Sequence, residues 1–173
     1  MPSSLQARLW AESGVEPAYV ILDGALDDLL VPALQAAGAP AWRCLWAGEL
    51  EPDMASVAPY LVELVPGSEF TRRVLSEAWG RNLGIFLASP VGLARTWRHL
   101  RQHARVQGPQ LEPLYFRFYD PRVLRAWLPA CTPRQLVAFF GPVRYFFAEA
   151  EDPGAGFAWT AAGGQLVTQQ LVD

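Results

Sequence analysis

The boundary at Asp120-Pro121 constrains this chain more than any other part of its sequence. Upstream of it, Tyr115, Arg117 and Tyr119 alternate with Phe116 and Phe118, the period of two that a strand imposes on its side chains. Asp120 then offers a carboxylate to the free N–H groups of a first helical turn. Pro121 takes the first helical position, where a missing N–H does no harm. The run therefore predicts a strand that turns sharply into a helix reaching about Pro129. The same device recurs at Ser89-Pro90 and at Thr132-Pro133, where Gln135 completes a capping-box pattern.

Other elements are read outward from these fixed points. Ser4 to Glu12 has the spacing of a short amphipathic helix. Ala18 to Asp23 is an apolar strand ended by Asp23-Gly24. Leu26 to Ala37 has helical spacing with Pro32 inside it. Trp42 to Trp46 and Tyr60 to Val65 read as strands, and Glu69 to Trp79 as a helix capped by Ser68. Leu83 to Ala88 is apolar on both faces, as in a covered central strand. A long helix is expected from Ser89 to about Val106, with Leu93, Trp97, Leu100 and Ala104 inward and Arg95, Arg98, Arg101 and Arg105 opposite. A helix from Thr132 to Phe140 and a strand from Val143 to Glu149 follow. Gly163-Gly164 supplies the turn of a hairpin over about 157–171. Strands that first alternate with helices and then end antiparallel predict an α/β fold. The expectation is one domain, a mixed β-sheet flanked by helices with a C-terminal β-hairpin; 173 residues suffice for a single buried core.

Several chemistries are excluded or left without support. The chain has no lysine, so no Walker phosphate loop is present. No serine lies in a nucleophile elbow, and Gly154-Ala155-Gly156 lacks the rest of a dinucleotide fingerprint. His99 and His103 share a helical face, but no glutamate lies between them and arginines surround them; a solvated polar face is the simpler reading. Cys44 and Cys131 are far apart in sequence and lack metal-ligand spacing. No cofactor and no metal site are expected. A net charge of −3 gives no footing for nucleic acid. The N-terminus lacks a signal-peptide pattern and no apolar run spans a membrane, so a cytoplasmic location is expected.

Two sets of charges stand out. Asp23 ends a strand, where α/β sheets place ligands, although a turn residue before Gly24 is the simpler reading. Arg117 lies between two tyrosines, and a covered guanidinium needs a partner, for which Asp120 and Asp23 are candidates. Tryptophan is usually buried, yet an exposed cluster among Trp10, Trp42, Trp46, Trp127 and Trp159 would mark a binding face.

The ordered blocks Ala18-Tyr19-Val20-Ile21-Leu22-Asp23-Gly24-Ala25, Ala58-Pro59-Tyr60-Leu61-Val62-Glu63-Leu64, Gly84-Ile85-Phe86-Leu87-Ala88-Ser89, His99-Leu100-Arg101, Phe116-Arg117-Phe118-Tyr119-Asp120-Pro121-Arg122-Val123-Leu124 and Phe139-Phe140-Gly141-Pro142-Val143 carry a resemblance. With Trp79-Gly80 they cover about 19–149, and the chain so resembles the type VI secretion adaptor-chaperone family, also called Tap or type VI effector chaperones. The resemblance implies a non-catalytic cytoplasmic adaptor that binds a secreted effector and helps load it onto the valine-glycine-repeat spike protein. Many members continue into a further, mostly helical lobe, so the chain is either a short member or an amino-terminal lobe. Asp23, Asp120 and Pro121 are expected to be structural members of the signature. Arg117, Arg122, Arg98, Arg101 and Trp127 are the expected partner contacts, being residue types that dominate interface hot spots. The alternatives are an immunity-like toxin-binding protein, or an enzyme or small-molecule binder with a site at strand ends near Asp23, Ser89 and Asp120.

Overall fold

The computed structural model of the chain describes residues 3–11, 17–36, 38–152 and 154–172. Its elements are α1 (Ser3–Ala11), β1 (Ala18–Asp23), α2 (Leu30–Gln35), β2 (Trp42–Cys44), α3 (Pro52–Ser56), β3 (Pro59–Leu64), α4 (Glu69–Glu77), β4 (Gly84–Ala88) and α5 (Leu93–Leu100). There follow β5 (Arg105–Gln107), β6 (Pro113–Tyr115), α6 (Pro121–Trp127), α7 (Pro133–Phe140), β7 (Tyr145–Glu149), β8 (Gly156–Ala162) and β9 (Gln165–Leu171). Short 3-10 turns occupy Gly24–Leu26 and Leu128–Ala130.

Seven strands form one sheet in the order β2-β3-β1-β4-β7-β8-β9, and β5-β6 is a separate two-stranded ribbon. The α/β architecture and the C-terminal hairpin match the sequence reading. Strand direction differs from it: every pairing in the sheet is antiparallel, not mixed. The reason lies in the crossovers. α2 leads from β1 to β2, which run the same way but have β3 between them. α4 leads from β3 to β4, which also run the same way and have β1 between them. Each helix therefore joins co-directional strands that are not neighbours. This is the split β-α-β arrangement of ferredoxin-like domains.

The sheet is covered on both faces. On one face, Val20, Val62, Phe86 and Phe147 pack with Leu5 and Leu9 of α1, Leu30 and Leu34 of α2, and Val74 and Leu75 of α4. On the other, Tyr19, Ile21, Ile85, Leu87 and Phe146 pack with Leu100 of α5, Leu124 of α6, and Leu136, Phe139 and Phe140 of α7. Double coverage explains why β1 and β4 are buried at every residue and read as continuous apolar runs. Among the described residues, no helix is long and apolar enough to cross a membrane.

Several boundaries move. Pro32 sits in the first turn of α2, where its missing N–H is harmless, so the helix begins at Leu30 instead of bending there. α3 was not anticipated. The long helix expected from Ser89 is shorter: Gly92 precedes α5, which ends at Leu100, and Arg105 lies on β5. Pairing of Arg105 with Tyr115 across the ribbon overrides the helical pattern beyond residue 100.

The His99–His103 pair is not a solvated face. It packs against α7, with ring centroids 4.9 Å apart and His103 5.3 Å from the Phe139 ring. His99 Nε2 lies 2.7 Å from the Phe139 carbonyl, which only accepts, so Nε2 carries the proton. Burial, then the neighbouring His99, depresses the His103 imidazole from its ordinary 6.5 to about 4. Between those values the unfolded chain binds a proton that the folded chain does not. This contribution to stability is complete above about pH 6.5 and is lost as pH falls toward about 4. Allowing for partial exposure, it amounts to roughly 1–2 kcal/mol. In urea titrations at several pH values, His103→Phe is expected to flatten this acid slope; an unchanged slope would show that His103 is not its source.

Candidate functional site

The signature block gathers at one end of the sheet, where β1 and β7 end, β4 begins and α6 starts. Asp23, 2% exposed, caps the 3-10 turn by accepting from the Ala25 N–H at 3.1 Å. Its other carboxylate oxygen forms an ion pair with Arg117 Nη2. Of the two partners weighed for Arg117, the ion pair goes to Asp23. That hydrogen bond raises the guanidinium above its already high ordinary value, against the opposing effect of burial.

Arg117 is not on a strand. β6 stops at Tyr115, and Phe116 to Tyr119 form a connection in which the Asp120 N–H donates to the Arg117 carbonyl at 3.0 Å. Phe118 and Tyr119 are adjacent yet both buried, so the alternation of one covered and one open face read from the sequence does not hold here. Both rings pack in the core on the helical side of the sheet, and the chain turns at Phe118 and Tyr119 toward the start of α6. Burial, and then the charge of Asp23, raises the Tyr119 phenol.

Asp120 caps α6 as expected, with Pro121 buried at the first helical position. It accepts from the Arg122 N–H at 2.9 Å, from Arg122 Nε at 3.0 Å and from Arg122 Nη2 at 2.7 Å. Burial pushes the Asp120 carboxyl up, but the bonds and charge of Arg122 outweigh it and hold the group below its ordinary value. Arg122 itself is exposed.

Beside this network runs a groove of about 650 Å³ lined by Gly80, Asn82, Arg122, Arg125 and Glu149. Glu149 is buried and accepts from the N–H groups of Gly80 and Asn82, the latter at 2.6 Å. Burial raises its carboxyl above the ordinary value despite those bonds. Arg125 donates to the Glu149 carbonyl at 2.6 Å. Ser89 does not join Asp23 and Asp120. β4 is antiparallel to β1, which puts Ser89 at the opposite end of the sheet. There its hydroxyl donates to the Pro142 carbonyl at 3.2 Å and receives the Thr96 hydroxyl at 3.1 Å. The three-residue site imagined at strand ends is therefore not assembled, and Ser89 is not a helix cap.

A second surface is built by β2, α5 and the β5–β6 ribbon. The Arg43 and Arg101 guanidiniums lie 5.2 and 4.5 Å from the Trp97 ring centroid. Trp97 is fixed from behind by its Nε1–H, which donates to the Cys44 carbonyl at 2.6 Å. Next to it, the Trp46 and Tyr115 rings are 4.4 Å apart, and Arg105 lies 5.8 Å from the Tyr115 ring. A groove of about 410 Å³ is lined by Trp42, Arg43, Trp46, Trp97 and Arg101. Trp46 Nε1 is buried without a hydrogen-bond partner among the described residues. The ribbon adds exposed Val106, Leu114 and Leu111, the last 75% exposed.

Of the expected contacts, Arg101 belongs to this surface and Arg98 is exposed on the same helix; Arg117 and Arg122 belong to the sheet-end network. Trp127 is in neither. It packs on Phe116 and Phe139, with centroids 5.0 and 4.7 Å away, and is part of the second core. Sequence reasoning missed Arg43, Trp97 and Tyr115 as one surface. The dense Trp42-Arg43-Cys44-Leu45-Trp46 run was the available signal. Among the described residues, no group of three or more His, Cys, Asp or Glu side chains is placed to hold a metal ion.

Fold and site thus define a three-layer α/β domain whose signature residues lock one sheet end and whose arginines and tryptophans share another surface. The profile of the family described as "Domain of unknown function (DUF4123)" matches residues 18–138, from the first residue of β1 into α7. The chain belongs to that family. No curated protein and no solved structure matches it.

Proposed function

We propose that the protein is a non-catalytic adaptor-chaperone of type VI secretion, acting in the cytoplasm. It binds a secreted effector and assists its attachment to the valine-glycine-repeat spike protein. The observation that carries this reading is the family match over residues 18–138, which contains most of the blocks on which the adaptor resemblance rests. The arginine and tryptophan surface supports it, because those side chains concentrate binding energy at protein interfaces.

The test is co-expression with the effector and the spike protein encoded beside it, followed by size exclusion. Co-elution with at least one of them, and loss of effector stability or secretion when the protein is deleted, are expected. Association with neither, with the effector stable and secreted in its absence, would sink the reading.

A further inference from the structure

The surface formed by Arg43, Trp97, Arg101, Trp46, Tyr115 and Arg105 has an uncompensated charge. Three arginines elsewhere are matched by carboxylates: Arg117 by Asp23, Arg122 by Asp120 and Arg73 by Glu77. Among the described residues, Arg43, Arg101 and Arg105 have no carboxylate within ion-pair distance. They rest instead on aromatic rings. Such contacts orient a guanidinium without neutralising it. Their donors remain free for a carboxylate, and part of the ordering cost of binding is already met.

The apolar part of the surface is continuous with these cations. Tyr115 touches both Trp46 and Arg105, and it ends the strand that carries Leu114. Both strands of the ribbon are exposed along their whole length. A cationic groove opening onto an apolar ribbon fits one kind of occupant by charge complementarity: negative charge next to apolar side chains.

We propose that this surface receives an acidic segment of a partner protein that also carries leucine or aromatic residues. Its carboxylates lie on Arg43, Arg101 and Arg105, and its apolar side chains lie against Trp46, Tyr115 and Leu114. The identity of that partner as effector or spike protein rests on the adaptor reading; the chemistry of the surface does not.

The probe is a fluorescein-labelled peptide of glutamate, aspartate, leucine and phenylalanine, followed by fluorescence anisotropy. Controls are the same peptide with arginine in place of the acids, and a single-stranded DNA of similar length. The acidic probe is expected to bind the intact protein and to weaken as salt rises from about 50 to about 300 mM. It is expected to weaken at least about tenfold with Arg43→Gln/Arg101→Gln/Arg105→Gln and with Leu114→Ser, while the basic peptide does not bind. Unchanged melting temperatures confirm that the variants fold; if the triple variant does not, Arg105→Gln alone replaces it, because Arg105 is an exposed ribbon residue.

Equal binding by folded variants, or no binding of the acidic probe, overturns the proposal. So does tighter binding of the DNA, which would make this a phosphate surface. Self-association on a sizing column that disappears in the triple variant also overturns it, since the occupant would then be a second copy. Co-elution with effector or spike that survives the triple variant refutes this surface and leaves the adaptor reading intact. Probe binding without association with either protein refutes the adaptor reading and leaves the surface intact.

Discussion

Arg117→Ala is expected to lower stability by about 2–3 kcal/mol, because it strands a buried carboxylate. Asp23 is 2% exposed, and without Arg117 only the Ala25 N–H remains on its carboxylate among the described residues. Removing one partner of a fully buried pair costs about 3–5 kcal/mol. Arg117 is 43% exposed, so water reaches the gap and the lower figure applies. Asp23→Asn in the same background removes the unpaired charge and is expected to restore part of the loss. The two substitutions are then non-additive in a double-mutant cycle read by urea midpoints. Wild-type stability in Arg117→Ala together with lost effector co-elution would reverse the assignment and make Arg117 a contact residue.

Gly84→Ala is expected to be more severe. Gly84 opens β4 opposite Leu22, and a Cβ built there would overlap the Ile21 carbonyl oxygen. The obstacle is backbone inside the central ladder, so no side-chain rotation relieves it. A loss of at least about 4 kcal/mol is expected, a large share of what a domain has in total. Insoluble expression or loss of the far-ultraviolet circular dichroism signal is the readout. Gly92→Ala is the control, since a Cβ there meets open space, and it is expected to cost under about 1 kcal/mol. Near-native stability of Gly84→Ala would mean that β1 and β4 do not meet in the Leu22–Gly84 register.

The parts of the fold legible in the sequence are those decided within a few residues. The caps at Ser68, Asp120 and Thr132 all form, because each satisfies N–H groups two or three positions away. The Gly163-Gly164 turn forms because both residues take positive φ, which glycine alone adopts freely. Strand order was not legible. Alternation of strands and helices does not reveal that β3 and β1 slide between the strands each helix connects. The end of α5 was missed for a related reason, since its apolar and basic stripes continue past Leu100 while the chain turns to pair with Tyr115.

The candidate site divides along the same line. Asp120 and Arg122 are local partners, and the motif containing them was visible. Asp23 was named as a possible mate for Arg117 but not distinguished from Asp120, because 94 residues separate the pair. The tryptophan and arginine surface draws on β2, α5 and β6, so no window of sequence contains it. The packing of Trp127 on Phe139 was not legible for the opposite reason: an aromatic at the end of a helix looks the same in sequence whether or not it meets the core.

The insertion of β1 between β3 and β4 also sets an order of events during synthesis. Ile21 pairs with Leu61 on one side and Ile85 on the other. At roughly 5–20 residues per second, the ribosome takes several seconds to supply the second neighbour after the first strand emerges. Through that interval the uncharged run Ala18–Leu22 keeps a bare edge, the kind of segment that seeds aggregation. The burial of this strand thus depends on residues made well after it, and its aggregation risk is concentrated before the sheet is complete.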